Sequence, residues 1–127
     1  MATLTTLNFD NSFARLPNIL FTALNPTSIK SPFLVHFNPA AAQLLDLETP
    51  SEEELSHYFG GHGVLPNSTA LAMTYSGHQF GQYNPQLGDG RGLLLGEVIN
   101  RKGERWDVHL KGAGRTLYSR FGDGRAV

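Results

Sequence analysis

Two strand-forming runs separated by one polar turn constrain this chain more than any other stretch. The first, Gly92–Asn100, carries Leu93-Leu94-Leu95 and then Val98 and Ile99, the continuous apolar pattern of a buried strand. The second, Arg105–Lys111, alternates: Trp106, Val108 and Leu110 face one side, and Asp107, His109 and Lys111 the other. Between them, Arg101-Lys102-Gly103-Glu104 reads as a hairpin-type polar turn. The period of two sets Lys111 on the face opposite Trp106, looking back toward a glycine turn at residues 88–92.

The rest of the chain is less regular. Residues 1–37 read as irregular, with short extended pieces around Ile19–Ala23 and Phe33–Phe37. Asn38-Pro39 is a helix start, because asparagine caps and proline suits the first helical position, and Ala40–Leu47 follows at helical spacing. Thr49-Pro50-Ser51 followed by Glu52, Glu53 and Glu54 is a second start, with acids where the helix dipole favours them, and Gly60-Gly61 ends it. Leu71–Ser76 fits a strand or a helix end, and His78–Pro85 reads as a loop. The expected organisation is an extension over residues 1–69 with two short helices, then a β-rich part over residues 70–127.

Composition matters chiefly through its asymmetry. Residues 1–90 carry 2 basic and 7 acidic side chains, whereas residues 91–127 carry 8 basic and 4 acidic. All 14 glycines lie between Gly60 and Gly124. A basic, glycine-rich half suits a polyanion, since glycine lets backbone N–H groups approach phosphate and arginine supplies charge; a solvated basic face is the plainer reading. With 0 cysteines, disulfides and thiolate metal sites are excluded. The histidines at 36, 57, 62, 78 and 109 have no metal-ligand spacing, so no metal site is expected within the chain. No apolar run approaches the roughly 18 residues of a membrane span, and the N-terminal stretch has no targeting character, so a cytoplasmic protein without membrane partners is expected.

The chemistry concentrates late in the chain. Gly88-Asp89-Gly90-Arg91-Gly92 offers unblocked N–H donors plus one guanidinium fork, although G-D-G is also an ordinary hairpin turn. Lys111 lies one strand pair downstream, where kinase-like small lobes carry the lysine that neutralises nucleotide phosphates; an exposed strand lysine is the alternative. Then Gly112-Ala113-Gly114-Arg115 and Arg120-Phe121-Gly122-Asp123-Gly124-Arg125 supply three further arginines and a second G-D-G-R. No nucleophile–base pair stands out. A nucleotide- or RNA-binding module remains open, but Trp106 and Tyr118 do not form a stacking platform, so no nucleic-acid partner is expected.

Five segments together resemble the selenoprotein O family: Asp10–Pro17 (DNSFARLP), Tyr75–Gly81 (YSGHQFG), Gln86–Gly92 (QLGDGRG), Leu110–Thr116 (LKGAGRT) and Tyr118–Arg125 (YSRFGDGR). The resemblance is collinear over essentially the whole chain. It implies an α+β, protein-kinase-like small lobe, an antiparallel sheet with a glycine-rich loop plus N-terminal helices. It implies ATP bound in a flipped orientation and AMP transferred to Ser, Thr or Tyr hydroxyls of protein substrates, with Mg²⁺ or Mn²⁺. The nucleotide contacts it implies here are Gly88, Gly90, Arg91, Lys111, Asp123 and Gly124. Members of that family run to several hundred residues, so the resemblance implies a small-lobe portion. The catalytic aspartate, the metal ligands and the glutamate that pairs with Lys111 are then expected beyond Val127, with no appreciable transfer by this part alone. Ordinary γ-phosphate transfer is the enzymatic alternative, and self-association through an uncovered apolar face is a further expectation.

Overall fold

The computed structural model describes residues 1–125; Ala126 and Val127, the end of the expected 70–127 part, lie outside the described residues. Five strands, β1 (Phe21–Ala23), β2 (Leu71–Gln79), β3 (Gln82–Gly88), β4 (Gly92–Ile99) and β5 (Arg105–Lys111), form one sheet. Every pairing between them is antiparallel. With two short helices, α1 (Pro39–Leu44) and α2 (Glu52–Phe59), this is an α+β fold consistent with a kinase-like small lobe. Among the described residues no helix is long and apolar enough to cross a membrane.

Strand β2 organises the sheet. Its first residues pair with β1 on one side and with β4 on the other, Leu71 lying opposite both Ala23 and Leu94. Farther along, Thr74 lies opposite Gly88 of β3. β3 and β4 thus follow one another along the same side of β2, and the 88–92 glycine segment is the break between them rather than a hairpin turn. β4 and β5 form the hairpin expected from the sequence, in a register that sets Gly92 opposite Lys111. Trp106, Val108 and Leu110 are half-buried while Asp107, His109 and Lys111 are exposed, as the alternation requires.

Two expectations need correction. His78–Pro85 is no loop; it is the end of β2, the turn Phe80-Gly81 and the start of β3. Both turn residues have positive φ (55° and 74°), the backbone of a two-residue hairpin turn. Pro85 misleads because it usually breaks strands, but here it sits where the β2–β3 register shifts, so its missing N–H interrupts no regular ladder. Phe33–Phe37 forms no strand; Leu34 and Phe37 pack against the core while Phe33 and Val35 point outward. Ile19 and Leu20 likewise lie in a short 3-10 turn, and extended backbone begins at Phe21.

Both helices begin where their caps predict. The Asn38 side chain accepts from the N–H groups of Ala40 and Ala41, and the Ser51 hydroxyl from that of Glu54. α1 closes before Leu47, because Asp46 turns left-handed (φ 55°) and its carboxylate accepts from the Arg101 N–H at 2.6 Å. Gly60 and Gly61 terminate α2. One core joins the early and late halves of the chain: Leu4, Leu7, Leu47 and Leu55 pack with Ala72, Leu93, Leu95 and Val98.

The N-terminal segment is held by a charged clasp. Asn8 and Asp10 bond along β4, as Ile99 N–H donates to Asn8 O at 3.0 Å and Asp10 N–H to Glu97 O at 2.8 Å. Gly96 permits that approach, since a Cβ there would lie 2.3 Å from Asn11 Oδ1. The buried Glu97 carboxylate accepts from the Ser12 hydroxyl, from the Phe13 N–H at 3.1 Å and from Arg105 at 3.3 Å. Arg105 also reaches Asp10, which Arg15 binds at 2.6 Å.

Burial pushes the Glu97 carboxyl up, but the Ser12 hydroxyl, the Phe13 N–H and the Arg105 guanidinium outweigh it and hold it below its ordinary value. Asp10 is held low by its bonds to Arg15 and Arg105. Groups depressed in the folded state stabilise fully above their unfolded pKa of about 4, and the contribution is lost as pH falls through the folded value. Thermal melts should therefore show the midpoint steady near neutrality and falling below about pH 4. Glu97→Gln should lose about 1–3 kcal/mol at pH 7 and show a shallower acid decline. A second prediction concerns Phe80, whose left-handed backbone is strained for a bulky residue that is 93% exposed. Phe80→Asn should raise the urea midpoint, by about 0.5–1 kcal/mol of stability.

Candidate functional site

The glycine segment between β3 and β4 owes its shape to Asp89. In a regular ladder Met73 and Asp89 would exchange two backbone bonds. Here the Asp89 N–H donates to Met73 O at 3.0 Å, but the Met73 N–H donates to the Asp89 carboxylate, Oδ2, at 3.0 Å. The side chain stands in for its own carbonyl. The freed Asp89 carbonyl turns away and accepts from the Thr116 hydroxyl. His109 Nε2 lies 3.6 Å from the same Oδ2, on the polar face of β5.

The two carbonyls that follow are tied in the same direction. Gly90 O accepts from the Ser119 hydroxyl, and Arg91 O from the N–H groups of Gly112 (2.7 Å) and Ala113 (3.0 Å). The strap of residues 112–119 after β5 is thereby laced to the glycine segment. Tyr118 lies directly beneath it: a Cβ on Gly88 would fall 2.2 Å from the ring, so only glycine fits. The Tyr118 hydroxyl accepts from Thr74 at 2.6 Å and lies 3.3 Å from the Thr22 hydroxyl. These bonds, Thr22 first and then Thr74, hold the phenol below its ordinary pKa.

The second G-D-G-R folds back onto the same strap. Gly114 N–H donates to Gly124 O at 3.0 Å, and Asp123 Oδ1 accepts from the Arg125 N–H at 2.9 Å. Its arginine is consumed internally: the Arg125 guanidinium donates to the carbonyls of Thr27, Ser28 and Gly112 at 3.0, 3.2 and 3.3 Å. Arg91, Arg115, Arg120 and Lys111 are exposed and have no carboxylate partner among the described residues.

A cavity of about 380 Å³ results, and of the six residues singled out from the sequence it gathers Gly88, Gly90, Arg91, Asp123 and Gly124, together with Arg120 and Gln79 from the end of β2. Lys111 is not in it. The lysine lines an adjoining cavity of about 580 Å³ with Gly112 and Ala113, and Arg125 belongs to both cavities. A third, apolar cavity of about 440 Å³ lies between residues 29–37 and the two helices; it has no lysine or arginine to neutralise an anion. Sequence reasoning passed over Thr116 and Ser119, whose hydroxyls hold the glycine segment. Their only signal was position, two hydroxyl residues just after a glycine-rich turn.

Divalent metal finds no ready site here. Among the described residues no group of three or more His, Asp and Glu side chains is placed to hold an ion. Asp89 is committed to Met73, and Asp123 is a single exposed carboxylate at the cavity.

The profile of a family described as protein adenylyltransferase SelO matches residues 3–127. Among similar proteins, the protein nucleotidyltransferase YdiU of Azotobacter vinelandii is 60% identical over 129 residues, covering 100% of this chain and 26% of that protein. The proteins of the same name from Stutzerimonas stutzeri and Thiobacillus denitrificans are 57% and 54% identical with the same coverage. The chain thus spans about a quarter of the length of the curated relatives it matches.

Close packing around the second loop is sharply position-dependent. At Gly124 φ is +79° and a Cβ would lie 2.0 Å from the Gly114 carbonyl carbon, whereas at Gly122 the nearest atom is 3.9 Å away. Gly124→Ala should cost about 3 kcal/mol or more in chemical denaturation, and Gly122→Ala should stay within about 0.5 kcal/mol of wild type.

Proposed function

Because the chain belongs to the protein adenylyltransferase SelO family, we propose that it forms the ATP-gripping portion of an enzyme that transfers AMP to hydroxyl side chains of proteins. Curated relatives are named nucleotidyltransferases, which supports nucleotidyl transfer as the reaction class. The observation that carries the binding assignment is the convergence of both G-D-G-R segments on one cavity with uncommitted guanidinium groups at its rim.

In this reading the backbone N–H groups of Gly90 and Arg91 meet phosphate oxygens and the Arg91 fork adds charge-assisted bonds. Gly88 meets the nucleotide through its backbone, the space of its missing Cβ being filled by the Tyr118 ring. Lys111, entering from the adjoining cavity, neutralises a second phosphate. Asp123 and Gly124 shape the far wall. Residues 70–127 form the nucleotide-gripping part, and residues 1–69 buttress it. A divalent ion, Mg²⁺ or Mn²⁺, would neutralise polyphosphate charge during transfer. Among the described residues no group of three or more His, Asp and Glu side chains is placed to hold it. Since relatives are about four times longer, transfer is proposed for the full polypeptide, and nucleotide binding for this part of it.

The test uses ATP labelled at either the α or the γ phosphate, with Mg²⁺, the full polypeptide that carries this chain, and its Lys111→Ala version. Protein labelled from α-ATP alone, falling at least tenfold in Lys111→Ala, is the expected outcome. Label from γ-ATP would make the reaction ordinary phosphoryl transfer, and label from neither would leave a binding module.

A further inference from the structure

The carbonyls of Asp89, Gly90 and Arg91 all point into the 112–119 strap, held by the Thr116 hydroxyl, the Ser119 hydroxyl and the N–H groups of Gly112 and Ala113. A trans peptide is planar, with its N–H opposite its C=O. Fixing the Asp89 carbonyl therefore aims the Gly90 N–H away from the strap, and fixing the Gly90 carbonyl does the same for the Arg91 N–H. Neither N–H has an acceptor among the described residues. Two successive N–H groups turned to one side of this bend and left without acceptors offer a pair of donors to an anion.

The strap is itself braced for this task. Thr116 N–H donates to Ser119 Oγ at 2.9 Å, Tyr118 N–H to Thr116 Oγ1 at 3.1 Å, and Ser119 N–H to Thr116 O at 3.2 Å. Each hydroxyl thus accepts from a strap N–H and spends its only proton on a glycine-segment carbonyl, so its orientation is fixed on both sides. Both side chains are half-buried, so a carbonyl released by one of them is not simply handed to bulk water.

We propose that Thr116 and Ser119 are positioning residues for phosphate binding: they touch no ligand, but by holding two peptide planes they aim the Gly90 and Arg91 N–H groups at the polyphosphate. The assignment rests on the nucleotide reading above. Loss of either hydroxyl frees its peptide to rotate, turning the N–H inward toward the vacated strap.

Calorimetric titration of the full polypeptide with ATP, tripolyphosphate and adenosine tests this, using wild type, Thr116→Val, Thr116→Ser and Ser119→Ala, with a thermal melt of each. Thr116→Val keeps the shape and removes the hydroxyl; Thr116→Ser keeps the hydroxyl. Thr116→Val and Ser119→Ala should each weaken ATP and tripolyphosphate by roughly five- to tenfold, from the loss of one hydrogen bond. Adenosine affinity should be unchanged, and Thr116→Ser should stay within about twofold of wild type. If Thr116→Val does not fold, Ser119→Ala against Thr116→Ser decides the matter by the same ratios. Equal loss of adenosine and ATP, wild-type ATP affinity without the hydroxyl, or a Thr116→Ser as weak as Val would overturn the proposal while leaving the nucleotide reading intact. A wild type that binds neither ATP nor tripolyphosphate would overturn the nucleotide reading, and this inference with it.

Discussion

Met73 and Asp89 share two hydrogen bonds, and one of them runs to the aspartate side chain instead of its carbonyl. That substitution lets β2 carry two successive strands along one side while the backbone between them turns out of the sheet plane. Without it the Asp89 carbonyl would belong to the ladder, and the Thr116 hydroxyl would lose its acceptor. With it, three carbonyls in a row face the strap, and the Gly90 and Arg91 N–H groups point away from it, while the Arg91 side chain is exposed. The flanking glycines are needed for the same reason: Gly88 rests on the Tyr118 ring and Gly92 lies 2.5 Å, at its hypothetical Cβ, from the His109 ring.

The sheet that bears this loop is small and leans on the first half of the chain. β4 is buried along nearly its whole length, flanked near its end by β5 on one side and by residues 8–10 on the other. The Glu97–Arg105–Asp10 clasp closes that second flank with charge, in a place where a buried carboxylate is tolerable only because three donors meet it. The helices contribute Ala42 and Leu55 to the core and carry no chemistry of their own. Scaffold and site are therefore separate jobs done by separate charges: acids and arginines of the clasp are paired, whereas Arg91, Arg115, Arg120 and Lys111 near the two glycine loops have no carboxylate partner among the described residues.

Two copies of one tetrapeptide meet opposite fates in this arrangement. In Gly88-Asp89-Gly90-Arg91 the aspartate is absorbed into the sheet and the arginine is exposed. In Gly122-Asp123-Gly124-Arg125 the aspartate is exposed and the arginine bridges three carbonyls. Under the nucleotide-binding function proposed above, the first copy would present donors to polyphosphate and the second would form a wall rigid enough to keep them aimed, since positioning carries much of the catalysis in transfers to and from phosphate.

The sequence by itself determined the central hairpin, its turn and the face on which Lys111 stands, because periodicity and turn chemistry are local properties. The helix starts at Asn38 and Ser51 were legible for the same reason. It also singled out both G-D-G-R segments as candidate phosphate contacts, and the structure brings residues of both to one cavity. It misread His78–Pro85 as a loop, since glycine and proline usually punctuate and only the register shift beside Pro85 explains their place in a strand. Tertiary structure alone decided which arginine stays free, that the 88–92 glycines break a strand pairing instead of making a hairpin, and that Lys111 opens on an adjoining cavity. Those outcomes depend on where backbone carbonyls point after residues tens of positions apart have packed, and no local pattern in the chain encodes that direction.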